Sequence, residues 1–369
     1  MKVVSADDHL LEPPDLWRSR LPARYAEAAP HVVADELGDA WVYEGRRHRI
    51  ERVLAIAGRP EAEYDLSPLR FSEMRPGCSD PVARLADMDA DGIHAQLCFP
   101  TFPRFAGTRF LEGGDPVLAG LCVRAWNEFV LDEWWAAAPD RFIPMVIVPL
   151  WDVELAAAEA AWAVERGARA VSFPENTVHL GLPSIHGGYW DPLFAVLDEA
   201  STPLCLHFGT SGVVPTTGPD APHIVGSMLY GTSTMSAMVD FLMSPVFHAF
   251  PALRIALSEG GIGWIPYLLE KMDHMWRRHR HYQLEINQDV SPRELFQGHV
   301  FGCFIEDEHG VRNLDAIGTG QVLFESDYPH SDSNWPDSRN RLAALLAEVP
   351  DDDAHRVAEL NARELFRFP

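Results

Sequence analysis

The chain has 369 residues, 47 % of them apolar, and a formal net charge of −24. That composition supports a sizeable core and excludes a globally disordered chain. The acidic balance argues against nucleic acid and anionic membrane surfaces as partners, since both are met by a basic face.

Taken in chain order, short apolar runs rich in β-formers alternate with longer amphipathic ones. The runs are residues 3–6, HAQLCF (94–99), FIPMVIVPL (142–150), ARAVSF (169–173 at its core), PLCLHF (203–208), RIALSE (254–259), VFGCFI (300–305) and QVLFES (321–326). Helical patterns lie between them. DPVARLADMDADG (80–92) has an aspartate at its start and a glycine at its end; VELAAAEAAWAVERG (153–167), residues 189–200 and GIGWIPYLLEKMDHMW (261–276) follow suit. Strands alternating with helices predict parallel βαβ units. Eight of them predict an α/β chain folded as one (β/α)₈ TIM barrel over residues 1–369. Residues 18–79 read as an insertion after strand one, with a small hairpin at WVYEGRRHRI, and residues 209–225 as a long loop after strand five.

Five scattered cysteines with no CxxC pair read as reduced thiols of a cytoplasmic protein. No signal-peptide core or transmembrane run is expected.

The polar residues gather at strand ends. SADDHLLEPPDLW (5–17) opens the chain. In a strand, alternate side chains share a face, so Asp7 and His9 point one way and Asp8 the other, with Glu12 in the following turn. Strand five ends at His207, strand six at Glu259 and strand eight at Asp327. Taken singly, these are a helix cap, a core histidine and a turn aspartate. Taken together at the catalytic end of a barrel, Asp7, His9, His207 and Asp327, with Glu12 as a further ligand, predict a site for one divalent ion: Zn²⁺ first, with Mn²⁺, Fe²⁺ and Co²⁺ as alternatives.

Five stretches jointly carry a resemblance: SADDHLLEPPDLW, MDADGIHAQLCFP, GYWDPLFAVLDEASTPLCLHFG, HAFPALRIALSEGGIGWIPYLLEKMD and VLFESDYPHSDSNWP. Over nearly its whole length the chain resembles the amidohydrolase superfamily, in the branch typified by aminocarboxymuconate-semialdehyde decarboxylase. The resemblance implies a metal-dependent barrel whose strand-one pair falls on Asp7 and His9, strand-five histidine on His207 and strand-eight aspartate on Asp327. Two positions depart from the family pattern: Asp7 stands for the first histidine of an HxH pair, and Glu259 for the usual strand-six histidine.

The resemblance further implies a homodimer acting on a small molecule, either by non-oxidative decarboxylation or by hydrolysis of an amide, lactone or C–C bond. Asp327, His207, Glu259 and His330 are the expected catalytic groups. The loops after the strands are acidic and aromatic, which favours a small aromatic or cyclic mono-acid, with Arg104, Tyr328 and Trp335 as expected substrate contacts. Two other readings stay open: a metal-free enzyme using Asp327 and His330 as an acid/base pair, and a non-catalytic barrel that only binds. NEFVLDEWW (127–135) and KMDHMWRRH (271–279) are the segments expected to supply an interface, or else to pack on the barrel.

Overall fold

The computed structural model describes residues 1–283 and 285–369. Each predicted strand is present: β1 Val4–Leu10, β2 Ala95–Pro100, β3 in two pieces (Phe142–Ile143 and Met145–Val146), β4 Ala170–Ser172, β5 Leu204–His207, β6 Ile255–Ser258, β7 Val300–Phe304 and β8 Val322–Phe324. FIPMVIVPL is thus not one continuous strand. Pro144 has no N–H to give to a ladder, and the sheet changes partner there: β2 pairs with the first piece and β4 with the second. All neighbouring pairs from β4 to β8 are parallel. Beyond β8 the ring closes through backbone bonds, Asp327 N–H to the Asp7 carbonyl (3.0 Å) and His9 N–H to the Tyr328 carbonyl (2.7 Å).

The helices between strands begin and end where the side chains dictate. Asp80 accepts from Ala83 N–H to start helix Pro81–Asp91, and Gly92 ends it at φ +74°. Asp152 likewise caps Val153–Glu165. The fourth predicted helix starts later than expected, at Ile265, because Gly260 and Gly261 carry the turn and Pro266 occupies the first helical positions. A helix at Pro116–Phe129, capped by Asp115, was not anticipated. The loop after β5 runs to Pro222 before a short helix, His223–Met228.

Inside the barrel, Val4, Leu97, Cys205, Cys303 and Leu323 pack in one cluster, joined by Leu365 and Phe366 of the C-terminal helix. The strand–helix layer forms a second, larger core. Of the two segments considered for an interface, Val130, Leu131, Trp134 and Met272 are buried in this core, and Trp276 is buried beside Asn287, whose carbonyl accepts its Nε1–H. The insertion holds an antiparallel sheet of His31–Ala34, Asp39–Tyr43 and Arg46–Arg49, whose hairpin turns at Glu44-Gly45 with both residues at positive φ. Among the described residues, no helix is long and apolar enough to cross a membrane.

Candidate metal centre

A register shift between Ser5 and Asp8 shapes the end of β1. It leaves Asp7 and His9 facing the barrel axis and Asp8 facing away. Asp8 Oδ1 there accepts from Ser326 Oγ (2.5 Å) and Tyr328 N–H (3.0 Å), tying β1 to the end of β8. Fully buried Arg84 holds the same turn from outside, donating from Nη2 to the His9 carbonyl (2.6 Å).

The strand ends converge as the sequence predicts. His9 Nε2 stands 3.4 Å from Asp7 Oδ1, 3.3 Å from Asp327 Oδ1 and 3.7 Å from Glu259 Oε1. His207 Nε2 stands 3.3 Å from Glu259 Oε1 and 3.7 Å from Asp7 Oδ2. One ligand atom from each of Asp7, His9, His207 and Glu259 lies within 4.8 Å of the others, and so does one from each of His9, Glu259, Asp327 and His330. Glu259 and Asp327 both sit at positive φ (52° and 53°), a strained conformation for residues with side chains.

The donor set fits a divalent cation. Both oxygens of Asp7, Nε2 of His9 and of His207, Oε1 of Glu259 and Oδ1 of Asp327 are buried without a hydrogen-bond partner. Such orphaned atoms are costly unless something charged meets them. His207 Nδ1 is engaged by the Phe208 carbonyl (2.8 Å), which leaves the Nε2 lone pair for a ligand. Burial, reinforced by neighbouring carboxylates, pushes Asp7 and Asp327 well above the usual carboxylate range. Burial also holds His9 well below the usual imidazole range. Burial works against ionisation of Glu259 too, but His207 beside it prevails and keeps it low. A dication among these groups relieves the crowding of negative charge.

A sequence profile described as Amidohydrolase matches residues 17–368. The chain belongs to the amidohydrolase family. A gamma-resorcylate decarboxylase of Rhizobium radiobacter is 25 % identical over 313 residues, covering 77 % of this chain and 86 % of the relative. An amidohydrolase from Mycobacterium avium subsp. paratuberculosis K-10 has the same fold, with a TM-score of 0.76, 21 % identity and coverage of 99 % and 97 %. So has a 5-carboxyvanillate decarboxylase from Novosphingobium aromaticivorans, solved with manganese (TM-score 0.68, 20 % identity, coverage 99 % and 96 %).

Other expected site residues of this amidohydrolase lie apart from the cluster. Glu12 is buried, but its carboxylate accepts from Thr101 N–H (3.0 Å), Phe102 N–H (2.9 Å) and Trp126 Nε1–H (3.1 Å). It bolts the loop after β2 to the barrel and belongs to neither ligand group. Burial pushes its carboxyl up to about 7 despite those donors. Tyr328 donates its hydroxyl to Asp87 Oδ2 (2.5 Å), and Trp335 donates Nε1–H to the Asp87 carbonyl (2.9 Å). Both brace the loop after β8 against helix Pro81–Asp91. Arg104 pairs with Glu112 (2.8 Å). His330 does join the cluster, its Nδ1 2.8 Å from Asp327 Oδ1.

Two contributors escaped the sequence reading. Glu325, buried just past the end of β8, accepts from Glu259 N–H (3.2 Å) and so sets where that side chain begins. It stands two residues before Asp327, and the strand's alternation signals it. Phe105 packs on His207 and His9, with ring centroids 4.1 and 4.6 Å away. No local pattern distinguishes it from the other aromatics of FPRFAGTRF.

Proposed function

We propose that this amidohydrolase is a divalent-metal-dependent, non-oxidative decarboxylase of a small aromatic mono-acid. The observation that carries the reading is the cluster of orphaned carboxylate and imidazole atoms at the ends of β1, β5, β6 and β8. The reaction class comes from the decarboxylase relatives named above.

Asp7, His9, His207 and Asp327 are the residues to hold the ion. Two carboxylates and two imidazoles, with the Glu259 carboxylate beside them, make a hard donor set, which moves Mn²⁺ level with or ahead of Zn²⁺. When bound, such an ion withdraws charge from substrate oxygens next to the bond that breaks. The protein's own part is proton delivery. Asp327 and His330, with Oδ1 and Nδ1 2.8 Å apart, are the groups placed to deliver a proton beside the cluster. As the C–C bond breaks, the ring carbon keeps the electron pair and takes that proton, and carbon dioxide leaves; no oxidant or reductant enters. Arg104 is spent on Glu112, and Arg109 donates to the Phe102 carbonyl (2.5 Å). A second substrate carboxylate would therefore meet carboxylates rather than a free guanidinium, which favours a mono-acid. A homodimeric assembly, from the family resemblance, and a cytoplasmic location, from the scattered cysteines, accompany the proposal.

The test is release of carbon dioxide from hydroxybenzoates by Mn²⁺- or Zn²⁺-loaded protein, read by headspace mass spectrometry. The expected result is one phenol per carbon dioxide, abolished by chelator. Turnover of amides or lactones with no carbon dioxide from any acid would replace this reading with a hydrolase.

A further inference from the structure

The ligand atoms of the cluster are sealed. Asp7, His9 and His207 have no exposed side-chain surface, and Asp327 and Glu259 expose 1 % and 8 %. A substrate or an ion must nevertheless arrive from the C-terminal end of the barrel, where the loops after the strands lie.

Of the rings against the two imidazoles, Phe99 and His330 are buried, whereas Phe105 is the partly exposed one. Its centroid is 4.1 Å from His207, 4.6 Å from His9 and 6.0 Å from His330, and the side chain keeps part of its surface in solvent. Its backbone is fastened. Ser172 Oγ donates to the Phe105 carbonyl (2.5 Å). The turn before it is closed by Arg104 N–H to the Thr101 carbonyl (3.1 Å), and the turn that contains it by Gly107 N–H to the Arg104 carbonyl (3.0 Å). Arg104 and Gly107 bracket it at φ +57° and +74°, and a Cβ on Gly107 would stand 3.2 Å from Ile147 Cδ1. Moving the loop breaks these bonds. Turning the phenyl group about its own side-chain torsions breaks none.

We propose that Phe105 is the gate of the site. Its ring swings off the imidazoles to admit ion and acid, and then forms the aromatic wall on which a flat substrate lies, so its size sets the size of ring admitted. The substrate half of this inference rests on the decarboxylase reading; the gate does not.

The test is the rate of metal exchange. Mn²⁺-loaded parent, Phe105→Ala and Phe105→Trp proteins are mixed with excess EDTA, and the protein-bound Mn²⁺ left at successive times is measured by rapid desalting and inductively coupled plasma mass spectrometry. The expected result is stripping and reloading faster by about tenfold or more in Phe105→Ala, with an unchanged equilibrium constant, and slower in Phe105→Trp. Phe105→Ala should also accept hydroxynaphthoates that the parent refuses. Faster exchange with no carbon dioxide from any acid keeps the gate and removes the decarboxylase reading. Carbon dioxide release with exchange rates equal in parent and Phe105→Ala does the reverse. A parent that takes up neither Mn²⁺ nor Zn²⁺ overturns both.

Discussion

His330 Nδ1 lies 2.8 Å from Asp327 Oδ1, and the His330 ring stacks on His9 with centroids 3.7 Å apart. One histidine therefore touches both the proposed proton donor and a proposed metal-binding imidazole. Asp327→Asn should lower kcat by about 10²–10⁴-fold, and His330→Gln by about 10–10²-fold, because each removes part of the proton delivery. Metal content should stay near the parent's in His330→Gln. Steady-state kinetics beside metal analysis checks this; a His330→Gln enzyme with parental kcat would remove His330 from the proton path.

Glu12 behaves as a structural bolt. Glu12→Gln puts an amide donor among three existing donors and should cost about 2–3 kcal/mol of stability. Urea denaturation measures it. Folded Glu12→Gln should still bind metal with the parent's stoichiometry, whereas loss of the ion without loss of stability would make Glu12 a ligand.

Tyr328→Phe removes the donor to Asp87 and should cost about 1–2 kcal/mol. KM should change little, since the hydroxyl points at helix Pro81–Asp91 and not at the cluster. A large rise in KM at parental stability would return Tyr328 to the substrate.

Acid sensitivity should reside partly in the insertion. Burial, with Arg109 Nη1 2.6 Å from its Nδ1, lowers His48 from 6.5 to about 4. Between pH 6.5 and 4 the unfolded chain thus binds a proton that the folded one refuses. Stability from this group is full above pH 6.5 and is lost as pH falls towards 4. The side chain is only partly buried, so solvent screens the effect. His48→Gln should flatten the drop in urea midpoint between pH 7 and pH 5; an unchanged drop would place the acid sensitivity elsewhere.

The barrel was legible because every strand is a short apolar run and Asp80, Gly92 and Asp152 mark helix ends by their own chemistry. The centre was legible because alternation in β1 and the last residues of β5, β6 and β8 point to one place. What escaped depends on distant partners. Glu12 looks like a ligand until Thr101 and Trp126, 89 and 114 residues away, take up its oxygens. Tyr328 and Trp335 look like pocket aromatics until Asp87 turns them outward. Pro144, by contrast, stands in plain view within FIPMVIVPL, and its missing N–H is reason enough for the broken strand.

If β1, β5 and β8 hold one ion between them, bound metal should depend on His207. The direct measurement is inductively coupled plasma mass spectrometry of protein reconstituted with Mn²⁺ or Zn²⁺ and desalted, beside His207→Ala. About one divalent ion per chain is expected in the parent and a large loss in the variant. Equal metal in both proteins, or none in either, would contradict a site shared by those strands.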